Sequence, residues 1–297
     1  MGIMLTTPTY RIRKLDSITF DDLLREQDPF GAQSPRFDLR QVKFVTPAAM
    51  VQLAAACHFL DRQERRATIN LSGTTVPSYF LRSNFVNIVR PVAHFNPPFR
   101  RGALDAFDHL HGSNQVLIEV TKIETGQALQ GLLSRIVDVL IRNLAYPEAA
   151  AFDAVIAVSE VAQNTFDHND ETCGFLAMQV YGQGQHRFLE IGVADFGQGL
   201  AATLRRNPLH AGVQTDLEMI ERAVQNRTSQ HHDDQTRGTR MYHLLSIAHQ
   251  HAGSLQIRSG GANLRYRGDR RQGWGRDVPH MPGVHIALTL PAVFPTP

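Results

Sequence analysis

Residues 154–199 read AVIAVSEVAQNTFDHNDETCGFLAMQVYGQGQHRFLEIGVADFGQG, and this stretch decides the fold of the C-terminal half. Its first part repeats every 3.6 residues, so that Val155, Val158, Val161, Ala162 and Phe166 line one helical face. Glu160, Gln163, Asn164, Asp167 and His168 recur at i, i+3, i+4, i+7 and i+8 and make one polar stripe. Taken alone, such a stripe reads as a solvated helix face. Two apolar runs of strand length follow, Phe175 to Tyr181 and Phe188 to Ala194. The second ends directly in Asp195-Phe-Gly197-Gln-Gly199. Glycines at alternate positions after a strand let a ligand approach the backbone closely, and Asp195 supplies an acceptor at the strand's end.

Downstream, Arg237-Gly238-Thr239 opens a helix that is amphipathic through Met241, Leu244, Leu245, Ala248 and Ala252. Strands at Leu255 to Ser259 and Val284 to Leu290 complete this half. Between them, Arg265, Arg267, Arg270, Arg271 and Arg276 fall in an expected hairpin, read as solvated or as a partner-protein surface because Asp269 and Asp277 are interspersed. The segment Leu200 to Gln235 holds a capping-box signature, Thr215-x-x-Glu218, and the polar run Ser229 to Gln235. His231, His232, Asp233 and Asp234 are adjacent and so do not converge on one metal ion; they read as a solvated tip. Upstream come a strand (Val116 to Ile123), a helix (about Gln127 to Leu144) and Pro147 as a stop signal.

The order Glu160-x-x-x-Asn164, Asp195-x-Gly197-x-Gly199, Arg237-Gly238-Thr239 resembles the N, G1 and G2 boxes of the GHKL superfamily, over residues 153–291. The resemblance implies a Bergerat-type mixed-sheet α/β sandwich that takes ATP and Mg²⁺. It implies Glu160 as the base that polarises the attacking water or hydroxyl, Asn164 as the Mg²⁺ ligand, and Asp195 as acceptor from the adenine amino group. Nucleotide contacts are further expected from His168, Gly197, Gly199, Arg237, Gly238, Thr239 and Arg240, with the helix after Gly238 turning its amides and positive dipole end to the phosphates. Leu200 to Gln235 becomes the lid.

Several positions depart from that pattern. Gly238 is followed by Thr239-Arg240-Met241 rather than further glycines, Asp167 stands where a cation is common, and Gly283-Val284 replaces Gly-Thr before the last strand. The helix at 127–144 has no histidine, which excludes the histidine-kinase subclass.

In the N-terminal part, Phe37 to Val45 reads as a strand, the next helix carries Met50, Leu53, Ala54, Cys57 and Leu60 at helical spacing behind Pro47, and Ala67 to Leu71 is a second strand. A short helix follows at Val76 to Asn84. Residues 37–90 resemble the STAS fold of anti-sigma-factor antagonists; the loop that bears a phosphorylatable serine there reads Val45-Thr46-Pro47-Ala48-Ala49 here, leaving Thr46 as the one hydroxyl. Residues 93–114, rich in Pro, Gly and His, read as a connection. The expected organisation is α+β / α/β: a small STAS-like α/β domain with its connection at 1–114, and the ATP-binding domain at 115–297.

Composition sets the bounds. The chain has 297 residues, 42% hydrophobic and 20% charged, and 30 basic against 28 acidic residues give a net charge of +2, so no basic field points to nucleic acid. Two cysteines argue against a disulfide framework, and no run of 18 apolar residues or signal-peptide pattern occurs, so a cytoplasmic protein off the membrane is expected. The expected function is a regulator that binds ATP–Mg²⁺ and hydrolyses it or phosphorylates a protein partner, as an ATPase or Ser/Thr kinase of GHKL type. The alternatives are an ATP-sensing switch controlling partner association or homodimer formation, and, with less support, a nucleic-acid clamp.

Overall fold

The structure is a computed structural model, which describes residues 12–100, 102, 117–167, 173–206, 208, 212–225, 240–268 and 273–293. The C-terminal half is built on a five-stranded sheet: β6 (Leu117–Ile123), β7 (Gly174–Tyr181), β8 (Phe188–Ala194), β9 (Ser254–Arg267) and β10 (Trp274–Pro291), in the order β6-β7-β8-β10-β9. The N-terminal part carries β2 (Arg36–Asp38), β4 (Ala67–Asn70) and β5 (Ala93–Asn96) as a three-stranded parallel sheet, and β1 (Lys14–Leu15) paired with β3 (Phe44–Val45). The chain is thus of mixed α and β content, as expected.

The five-stranded sheet is antiparallel throughout, which corrects the expected mixed sheet. Helices α7 (Gly199–Leu204), α8 (Asp216–Gln225) and α9 (Arg240–Gln250) carry the chain from β8 to β9, which point the same way. The last strand, β10, returns from β9 and inserts between the two, running against both. β9 and β10 are also far longer than expected, and their hairpin absorbs register shifts between Asp277 and Val284.

Side chains alternate across this sheet, and both faces are buried. Leu176, Met178, Ile191 and Val193 face helices α5 (Gly126–Leu144), α6 (Glu148–Asp167) and α9. Phe175, Ala177 and Ala194 face the other way, onto α2 (Pro47–Arg62). That second face explains why β7 is an almost unbroken apolar run rather than an alternating one. α2 in turn is buried nearly all round, since it also touches β4 and β5. Its approach is close: a Cβ on Gly192 of β8 would lie 2.5 Å from the Ala48 Cα, so only glycine admits the helix there. The residues around the expected boundary at 114 lie outside the described ones. The N-terminal elements share one hydrophobic cluster with Val120, Phe175, Ala194 and Met281.

Local expectations hold where chain-local chemistry decides. Thr46 N-caps α2 with Pro47 in its first turn, Thr125 caps α5 through the Ala128 amide, and Thr215 accepts from Glu218 N at 3.1 Å. Thr46, the one hydroxyl of that loop, is 3% exposed and enclosed against β8. Two expectations fail. The strand at 37–45 is broken, because Val42 N turns back to Leu39 O and Arg40 grips Asp38, which sends β2 and β3 into different sheets. The connection at 93–114 begins as strand β5, since β4 offers it a parallel partner that the sequence does not show.

α1 (Thr19–Gln27) closes the same face over β9 and β10 through a buried polar knot. Asp21, fully buried, accepts from Arg258 Nε (2.7 Å), Asn263 Nδ2 (2.6 Å) and Arg276 NH2 (3.0 Å). Arg276 therefore serves the interior of the chain rather than a solvated hairpin, a correction forced by the neighbouring carboxylate. Arg265 stacks over Trp274 at 5.4 Å.

His285 lies beneath this knot, 1% exposed, with Nε2 donating to Pro282 O at 2.9 Å and Nδ1 unpartnered among the described residues. Burial, and then the Arg258 charge, push its pKa from 6.5 down to about 3. The unfolded chain therefore binds the proton first on acidification, so stability present above pH 6.5 is lost progressively toward pH 3. The denaturant midpoint is expected to fall over that window, and less steeply in His285→Gln. An unchanged slope in the variant would show that another group governs acid unfolding.

Candidate functional site

The turn after β8 is fastened on several sides. Asp195 is 5% exposed, its N donates to Val284 O at 3.0 Å, and its Oδ1 accepts from Gly197 N (2.8 Å) and Val284 N (3.3 Å). Oδ2 accepts no hydrogen bond among the described residues. Burial raises the carboxyl's pKa to about 6, against the lowering effect of the two amides. Gly283 has φ +92°, and a Cβ there would lie 2.0 Å from Asp195 O, so only glycine lets β10 cross behind the carboxylate.

The loop continues through Gly199, at φ +82°, into α7. Leu200 N donates to Ser259 Oγ at 2.8 Å, and the same hydroxyl donates to Gly283 O at 3.0 Å. Ser259 is a residue that the sequence reading did not assign to the site. Its hydroxyl sits beside Gly283-Val284 but comes from the neighbouring strand. Cross-strand placement leaves no sequence signal.

A second group forms where α6 packs on α9. Glu160 Oε2 lies 2.9 Å from His243 Nδ1, with the carboxylate 26% and the imidazole 41% exposed. The carboxylate can only accept, so Nδ1 carries the hydrogen and the other ring nitrogen is turned elsewhere. His243 was also missed; it falls one helical turn into α9, on the helix expected to open at the G2 box. Four residues on, the same helix buries Ile247 in the core below.

The structure thus joins Asp195, Gly197 and Gly199 to the Gly283 crossing, and Glu160 to α9. Asn164 continues helix α6, while its side chain lies outside the described residues. His168, Arg237, Gly238 and Thr239 lie outside them altogether, as do His231 to Asp234, and Arg240 opens α9 with its side chain likewise outside. No family model matches the chain, and no curated protein matches it by sequence.

Proposed function

We propose that the C-terminal half binds ATP with Mg²⁺. The observation that carries this reading is the Asp195 carboxylate: buried at the end of β8, oriented by two backbone amides on Oδ1, and with Oδ2 left without a hydrogen bond among the described residues. An oriented acceptor of that kind suits the exocyclic amino group of adenine. Glu160 is the proposed base, placed one helical turn before Asn164 on α6, and Asn164 is the residue proposed to hold Mg²⁺, which would neutralise phosphate charge when bound.

Glu160 is already hydrogen-bonded to His243. That bond engages one oxygen of the carboxylate and leaves the other able to take a proton from an attacking water or hydroxyl, so the position of α9, the helix next to the expected lid, sets how the base is oriented. This favours the switch reading as a second one: nucleotide binding that changes a partner contact, with turnover slow. Transfer of the phosphoryl group to a protein partner remains the kinase form of the same chemistry. No helix among the described residues is long and apolar enough to cross a membrane.

Labelled ATP–Mg²⁺ incubated with the full chain separates these readings by resolving free phosphate, phosphoprotein and unchanged nucleotide. Glu160→Gln is expected to lower any phosphate release by about 10²–10⁴-fold while nucleotide affinity stays within a few-fold. His243→Gln should change the rate and leave affinity unchanged. Binding without product supports the switch; no saturable ATP binding refutes the nucleotide reading.

A further inference from the structure

The parallel sheet ends in a second candidate site, far along the chain from the turn after β8. In register, Asp38, Asn70 and Asn96 stand side by side at the carboxyl ends of β2, β4 and β5, the edge at which open α/β sheets take their ligands. Two adjoining clefts open there. One, of about 500 Å³, is lined by Arg40 to Lys43 and Ser72 to Thr75; the other, of about 470 Å³, reaches Arg36, Thr68 and Asn96, and Arg40 belongs to both. Each is large enough for a small metabolite.

The chemistry of the lining is one-sided. Arg36, Arg40 and Lys43 face a single carboxylate, Asp38, which holds Arg40 in a fork through Nε (2.9 Å) and NH2 (2.6 Å). The loop after β4 is braced rather than slack: Thr74 donates to Val42 O, Thr74 N to Leu71 O, Ser72 N to Asn70 Oδ1 and Val76 N to Thr74 Oγ1. The bracing uses alternate groups. The amides of Gly73 and Thr75, the hydroxyls of Ser72 and Thr75, and the Lys43 ammonium have no hydrogen-bond partner among the described residues. Gly73 has φ +81° and open space where a Cβ would stand, so the turn bares its backbone to the cleft.

Two amides, two hydroxyls and an ammonium at one rim, with fixed guanidinium beside them, make a donor set with no acceptor of its own to satisfy it. A tetrahedral dianion with several acceptor oxygens matches that set, and the adjoining cleft, with the Asn96 amide and Thr68, has room for a polar organic part. We propose that this edge binds a small phosphate monoester, the phosphate against Lys43, Gly73 and Thr75 and the organic part beside Arg36 and Asn96. The site is independent of the nucleotide reading, since it shares no residue with it.

The test uses the full chain, amide-labelled, titrated with inorganic phosphate and with ribose 5-phosphate as probes. Saturable shifts are expected at the Gly73 and Thr75 amides, with Lys43→Ala weakening binding at least tenfold and Thr75→Val several-fold; both side chains are exposed, so neither variant threatens folding. Asp195→Asn should leave these shifts unchanged. Ribose 5-phosphate should bind at least tenfold more tightly than phosphate; equal affinities overturn the assignment of the adjoining cleft to an organic part. Absence of saturation at the two amides, or binding unaffected by both variants, overturns the site.

Discussion

Asp195→Asn is expected to stabilise the protein at pH 8 by about 3 kcal/mol and, under the proposed nucleotide reading, to remove most of the affinity for ATP. The stability half follows from the carboxyl's pKa, about 6 when folded against 3.8 unperturbed. A raised carboxyl pKa means that the folded state holds the proton more tightly than the unfolded chain. Stability therefore falls as pH rises from about 4 to about 6, and the ionised group carries that cost at every higher pH. Asparagine does not ionise and can keep the acceptor facing Gly197 and Val284, so the gain is full at pH 8 and vanishes below pH 4. The binding half has the opposite sign. The side-chain amide sets a donor where the adenine amino group needs an acceptor, which costs on the order of 10²-fold in affinity and reduces the preference for ATP over GTP. Denaturation across pH and calorimetric titration with both nucleotides measure the two halves. A variant less stable at pH 8 would mean that the two amide hydrogen bonds outweigh the desolvation.

Asp21→Ala is expected to destabilise the chain by about 3–5 kcal/mol, a large share of what holds a domain together. The loss strands Arg258, fully buried, without its carboxylate, and leaves the Asn263 amide unpaired as well. Because the cost is that of an uncompensated charge rather than of a missing attraction, the double variant Asp21→Ala/Arg258→Met should recover much of the loss. A double variant no more stable than Asp21→Ala would instead show that the pair itself contributes net stability. The distinction bears on organisation, because this knot ties α1 to β9 and β10 across 237 residues of chain. If it fails, the face of the five-stranded sheet under α1 opens first, and proteolysis between residues 12 and 38 should report it.

The sequence by itself determined the elements whose physics is local. The 3.6 period of Val155, Val158 and Val161 gives α6, Thr46-Pro47 starts α2, Thr215-x-x-Glu218 starts α8, and the run into Asp195 sets a strand followed by a glycine turn. In each, the decisive interactions lie within a few residues of one another, so composition and spacing contain them. Only the tertiary structure decided the rest. Whether the sheet is mixed or antiparallel depends on where β10 inserts, which is a choice of neighbour and not of local conformation. β5 looks like linker because four residues carry no period of their own and become a strand only beside β4. Arg276 reads as part of a solvated hairpin until Asp21, more than 200 residues away, supplies a partner, and the same carboxylate pairs the buried Arg258. His243 and Ser259 enter the candidate site for the same reason: each meets its partner across a packing interface, and a long-range contact of that kind writes nothing into the residues on either side of it.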